Sequence, residues 1–222
     1  MTAPLAPRAL LFDMDGTLVD STAVVERTWR DFAERHGLDV ADILAGSHGR
    51  RSGETIAQHL PSGADLAAET ARVDAQEMRD LNGVVAVPGA AELLAGLPAG
   101  SWALVTSAGA DLAARRMAAA GLPMPGVVVT AEDVRHGKPD PEGYRKAAAG
   151  LGVPPEATVV FEDAEAGIAA GRAAGARVVV VGSHGGAAAE GLARIPDFCH
   201  VRVAAEGTGL AVELDEERTA RR

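Results

Sequence analysis

Five short runs of almost wholly apolar residues punctuate the chain, at 9–13, 102–106, 127–130, 158–162 and 177–181. They are rich in Val and Leu and show no polar alternation. That pattern predicts strands buried on both faces, as in a parallel sheet covered by helices. Between the later runs the apolar residues space out to helical periodicity. Helices are predicted over 90–97, over 110–120 with Gly121 as its stop, and over 164–174 with Gly175 as its stop. Asp140-Pro141 reads as an N-cap followed by proline at the first position of a further helix. Strand and helix alternate, which predicts an α/β fold with a Rossmann-like, doubly wound parallel sheet.

One interval breaks this rhythm. The first two runs are separated by far more chain than a βαβ crossover of ~30 residues needs. The intervening pattern is helical over 21–36, 53–60 and 64–82 and ends at Val87-Pro88-Gly89. An all-helical cap is therefore expected over 21–87, inserted into a core made of 1–20 and 88–222, and placed to act as a lid. Residues 185–190 read as a small-residue loop, and the charged end 213–222 as a fraying terminus.

Composition narrows the function classes. The 222 residues are 47% hydrophobic, 23% charged and only 3% aromatic, so the core is aliphatic. The formal charge of −10 disfavours general binding to nucleic acid or to anionic membranes. No run approaches the ~18 apolar residues of a membrane span, and the first apolar stretch is too short for a secretory signal. Cys199 is the sole cysteine, so there is no intrachain disulfide. These features point to a cytoplasmic protein. They leave the oligomeric state open.

The chemistry gathers at the ends of the apolar runs. The first run leads into Asp13-Met14-Asp15-Gly16-Thr17. Carboxylates two apart at the carboxyl end of a strand share a face, where open α/β sheets bind ligands. Such a pair repels unless one member is protonated or a cation intervenes. On its own an Asp-x-Asp-Gly is an ordinary turn, and three further features change the odds. Thr106-Ser107 ends the second run with hydroxyls and N–H groups suited to phosphate oxygens. Lys138 stands in His136-Gly137-Lys138-Pro139, in a chain whose only other lysine is Lys146. A compact ammonium there suits contact with both a carboxylate and a phosphate. Glu162-Asp163 ends the fourth run, and carboxylates there suit Mg²⁺.

This ordered set resembles the haloacid dehalogenase superfamily of phosphohydrolases with a helical cap. The closer resemblance is to its sugar- and polyol-phosphate phosphatases. It is carried by Ser47-His48-Gly49-Arg50-Arg51, by 137–144 and by 161–171, with Glu165 where relatives often have proline. The resemblance implies that Asp13 is the nucleophile and Asp15 the acid/base. It implies that Thr106, Ser107 and Lys138 bind the phosphoryl group. Asp13, Asp15 through its backbone carbonyl, Asp163 and Glu162 (directly or one step removed) are the implied Mg²⁺ ligands. His48, Arg50 and Arg51 are the implied cap contacts to a small phosphorylated metabolite, with Arg51 matching the family's recurrent arginine. A β-phosphoglucomutase-like mutase is the rival reading. That family has a histidine twelve residues beyond the nucleophile and a lysine in the cap. Here the first position is Val25, and 21–87 contains no lysine. The missing cap lysine also disfavours phosphonate hydrolases, and the presence of Asp15 disfavours dehalogenases. A catalytically silent binding protein of the same fold is the third alternative.

Overall fold

The computed structural model describes residues 5–215. Six strands form one parallel sheet: β1 (Ala9–Phe12), β4 (Trp102–Val105), β5 (Val127–Val129), β6 (Thr158–Glu162), β7 (Arg177–Val181) and β8 (Ala193–Ile195). Their spatial order is β5-β4-β1-β6-β7-β8. Counted among themselves the strands run 3-2-1-4-5-6, the doubly wound order, and the direction of winding reverses between β1 and β6. Phe12 pairs with Phe161 there, and the Asp13 N–H donates to the Phe161 carbonyl at 3.1 Å.

The period-two geometry of a strand explains the continuous apolar runs. Leu10 and Phe12 face one core cluster, and Ala9 and Leu11 face the other. Trp102 and Leu104 oppose Ala103 and Val105 in the same way, and Val159 and Phe161 oppose Val160. The few aromatic residues concentrate below the carboxyl ends of β1 and β6. Phe12 stacks on Phe161 at 5.1 Å between centroids, with Trp102 and Phe198 edge-on to Phe12. Burying Phe12 completely is worth about 1.5–3 kcal/mol, and the cluster gives the loops above it a stiff floor.

The sheet is covered by α5 (Ala90–Gly96), α6 (Ala110–Ala119), α7 (Glu142–Gly150) and α8 (Glu165–Ala174). The long interval after β1 holds β2 (Val19–Asp20), α1 (Thr22–His36), α2 (Val40–Ser47), α3 (Ser52–His59), α4 (Leu66–Arg79) and β3 (Val85–Ala86). β2 and β3 pair antiparallel, so the chain leaves and re-enters through one two-stranded stem. The helices between them bury their own cluster: Trp29, Phe32, Ala33, Ile43, Ile56 and Val73. No helix among the described residues is long and apolar enough to cross a membrane.

Several local expectations need correction. α2 is absent from the sequence reading, although Asp39 caps it by accepting the Ala41 N–H at 2.8 Å. The N-cap of α7 is Pro141 rather than Asp140, whose carboxylate still accepts the N–H of Glu142. The end does not fray from 213 on. Glu213 and Leu214 belong to a hairpin of β9 (Val201–Glu206) and β10 (Gly209–Leu214). That hairpin is secured because Leu210 and Val212 bury in the main core and Leu5 pairs with Val212. Residues 216–222 lie outside the described residues.

Candidate active site

The loop after β1 turns tightly. The Leu18 and Val19 N–H groups both donate to the Met14 carbonyl at 2.9 Å, and Gly16 N–H donates to Val19. Gly16 has φ +88°, and a Cβ placed there would lie 2.1 Å from Asp163 Oδ2. Only glycine lets this loop close against the loop after β6. The contact is reinforced by the Thr17 hydroxyl, which donates to Asp163 Oδ1 at 2.9 Å.

Beneath this junction two carboxylates hold one ammonium, with Asp163 beside them. Lys138 Nζ lies 2.5 Å from Asp13 Oδ1 and 2.6 Å from Glu162 Oε1, and it also donates to the Val105 carbonyl. Glu162 is fully buried with every direction filled. Oε1 accepts from Lys138 and from the Tyr144 hydroxyl at 2.9 Å, and Oε2 accepts from the Asp163 and Ala164 N–H groups. Room for it exists because Gly167 has no side chain: a Cβ there would sit 1.5 Å from Oε1.

Asp13, Glu162 and Asp163 each bring an oxygen within 4.8 Å of the others. When all three are ionised, Lys138 leaves two negative charges uncompensated. Burial pushes Asp13 well above the ordinary carboxylate range, with Glu162 adding to the effect and Lys138 opposing it. Burial and Glu162 likewise raise Asp163 to about 7. Lys138 stays charged: burial acts against its ammonium, but Asp13 and Glu162 outweigh it. Such a donor set fits a hard divalent cation, which takes oxygen ligands and would offset the excess charge. Asp13 Oδ2 and Asp163 Oδ2 accept no hydrogen bond from a described residue.

Above the carboxylates opens a cleft of about 650 Å³. It gathers Asp13, Asp15, Thr106, Ser107 and Asp163 on one side and His48, Arg50 and Arg51 on the other. Lys138 lies behind Asp13, in a small adjoining pocket that Thr106, Ser107 and Arg51 also line, and Glu162 is fully buried. Ser107 donates its hydroxyl to the Gly49 carbonyl at 2.8 Å, and Arg51 Nη2 donates to the Val134 carbonyl at 2.8 Å. Both side chains thus tie the loop between α2 and α3 to the sheet-bearing body. Arg50 lines the cleft with no side-chain partner among the described residues. Thr106 accepts the Ala108 N–H on its hydroxyl.

Sequence reasoning passed over Arg116 and Glu77. Arg116, on α6, is 2% exposed. Its Nη1 lies 2.9 Å from Asp15 Oδ2 and its Nη2 2.8 Å from Glu77 Oε1 on α4. One signal was legible: Arg116 falls on the same helical stripe as buried Leu112, Ala113 and Met117.

Two carboxylate-bearing loops meet at the reversal point of a doubly wound α/β sheet, under a helical insertion. The haloacid dehalogenase-like hydrolase family matches residues 7–175, and the chain belongs to that family. Among curated relatives it is 46% identical over 182 residues to hexitol phosphatase A of Escherichia coli, covering 78% of this chain and 82% of that one. It is 38% identical over 194 residues to glycerol-1-phosphate phosphohydrolase 2 of Saccharomyces cerevisiae, covering 80% and 76%. A crystal structure of a family hydrolase from Deinococcus radiodurans with bound phosphate and sodium is 32% identical, with a TM-score of 0.61 over 86% of this chain and 90% of that one. The two curated relatives are named as phosphatases of polyol phosphates, and a further relative, 36% identical over 194 residues, is named 2-deoxyglucose-6-phosphate phosphatase 2 of Saccharomyces cerevisiae, covering 78% of this chain and 79% of that one.

Proposed function

We propose that the protein is a Mg²⁺-dependent phosphatase of small sugar or polyol monophosphates that works through an aspartyl-phosphate on Asp13. The observation that carries this reading is the placement of Asp13 and Asp163 on adjacent strand ends. Lys138 is bonded to the first, and Asp15, Thr106 and Ser107 line the cleft above. In this reading 1–20 and 88–222 are the catalytic core and 21–87 is the cap.

Asp13 attacks phosphorus in line, and the bond to the leaving oxygen breaks. Asp15 gives its proton to that oxygen, so a neutral alcohol departs. A water then loses a proton to Asp15 and attacks the phosphoryl group. Inorganic phosphate leaves and Asp13 is regenerated. Lys138 orients Asp13, and with Thr106 and Ser107 it stabilises charge on the phosphoryl oxygens. Asp13, Asp163 and the Asp15 carbonyl would hold Mg²⁺, which supplies positive charge to the phosphoryl oxygens and keeps Asp13 ionised. Glu162, whose oxygens are already occupied by four donors, holds Lys138 and the Asp163 backbone in place. Arg50 and His48 face the leaving group. Arg51 serves the cap-to-core tether. Val25 lines the cleft where the mutase family has a histidine, which favours transfer to water over transfer to sugar.

The test is phosphate release from p-nitrophenyl phosphate and from hexitol, glycerol and 2-deoxyglucose phosphates, with Mg²⁺ or EDTA. Turnover should require the metal, and Asp13→Asn should lower it by more than about 10³-fold. Hydrolysis that survives in Asp13→Asn would remove the nucleophile, and an inactive wild type across the panel would favour a silent binding protein.

A further inference from the structure

Asp15 carries a cleft-lining carboxylate whose two oxygens are both held. The Ser21 hydroxyl donates to Oδ1 at 2.7 Å, and Arg116 Nη1 meets Oδ2 at 2.9 Å. The second nitrogen of the same guanidinium belongs to Glu77, and Glu77 Oε2 accepts the Ser52 hydroxyl at 3.1 Å. A chain of side chains therefore runs from α3 through α4 and α6 to the loop after β1. Asp15 and Glu77 are neighbours only because Arg116 stands between them. A guanidinium is a rigid planar fork, so fixing one carboxylate on Nη2 fixes where Nη1 holds the other.

We infer that Arg116 is a positioning residue: its guanidinium ties Asp15 to Glu77 of α4, so Asp15 is set for proton transfer when the helical segment is seated on the core. The inference rests on the acid/base role proposed for Asp15. Arg116 need not touch the phosphoryl group, because its effect passes through the Asp15 carboxylate. Displacing α4 removes Glu77 from the fork and leaves Asp15 with a mobile partner. Proton delivery to the leaving oxygen is thereby coupled to closure over the substrate, so the nucleophile meets a competent acid when bulk water is excluded.

The experiment compares kcat/KM for an alkyl phosphate that the wild type accepts with kcat/KM for p-nitrophenyl phosphate. An alkoxide needs the proton as it leaves, and a nitrophenolate does not. Asp15→Asn sets the reference for selective loss on the alkyl ester. Arg116→Lys keeps the charge but replaces the fork with one ammonium. It should lower the alkyl ester by about 10²-fold and the aryl ester by less than about fivefold. Glu77→Gln, close to isosteric, should show the same ordering with an alkyl loss of about tenfold. If Arg116→Lys does not fold by circular dichroism, the Glu77→Gln ratio decides. Equal losses on both esters, or no loss on either, overturn the inference and leave Arg116 as structural support. A selective loss in Asp15→Asn that neither Arg116→Lys nor Glu77→Gln reproduces sinks this inference alone. An Asp15→Asn enzyme with no selective loss sinks the acid assignment itself.

Discussion

Replacing Lys138 with methionine keeps most of the side-chain volume and removes the one ammonium that pairs with the buried Asp13 and Glu162 carboxylates, beside the half-buried Asp163. At 2.5 and 2.6 Å from Asp13 and Glu162, each attraction is about 6 kcal/mol at an effective dielectric constant near 20. Most of that only offsets the cost of burying the charges. Removing one partner from a buried network nevertheless costs about 3–5 kcal/mol, because the remaining charges lose their counterion. For a domain of this size each kcal/mol moves Tm by about 2–4 °C, so the metal-free variant should melt about 10 °C below wild type at pH 8. At pH 5.5 the deficit should shrink, because Asp163, raised to about 7, takes up a proton and relieves the repulsion. Thermal melts followed by circular dichroism in EDTA at the two pH values make the measurement. A shift under about 3 °C at pH 8, or the same shift at both pH values, would refute the electrostatic account of this cluster.

Two further outcomes test the same centre. In Gly167→Ala the new methyl group meets Glu162 Oε1 at 1.5 Å, and Glu162 cannot retreat from its four donors. The variant should lose about 3 kcal/mol in urea titration, whereas Gly46→Ala, which meets nothing within 4 Å, should be neutral or mildly stabilising. For Asp163 the folded value of about 7 lies above the ordinary 3.8. Between those values the folded chain holds a proton that the unfolded chain has released, so this contribution is full below about pH 4 and is lost as pH rises through about 7. The Tm of EDTA-treated protein should carry that loss between pH 5 and 8. Added Mg²⁺, which binds ionised carboxylates, should restore more stability at pH 8 than at pH 5. Equal stabilisation at both would contradict the assignment of Asp163 as a ligand.

The strands that carry the site were the most legible part of the chain. A segment buried on both faces is apolar through its middle, so β6 and β7 fall on 158–162 and 177–181 as expected. β8 was missed because Ala193-Arg194-Ile195, at the sheet edge, is too short and mixed to stand out. The β9–β10 hairpin was missed because alternation along it is weak and its apolar face becomes meaningful only against the main core. Among site residues, Asp13, Asp15, Thr106 and Asp163 do line one cleft, since each follows directly on a recognisable strand. Ser107 and Arg51 line the same cleft, and their side chains also bond the Gly49 and Val134 carbonyls, a tether that the motifs alone do not reveal.

By itself the amino-acid order determined the layered α/β core, the order of its carboxylate, hydroxyl and lysine motifs, and the helical interruption after the first strand. These depend on side-chain periodicity and on residues a few positions apart. Only the tertiary structure decided that Glu162 is saturated by four donors, that Gly167 makes room for it, and that Arg116 joins Asp15 to Glu77. Those facts depend on which distant segments share space. A buried charge is tolerable only where another part of the chain supplies its partner, and local patterning carries no record of that partner.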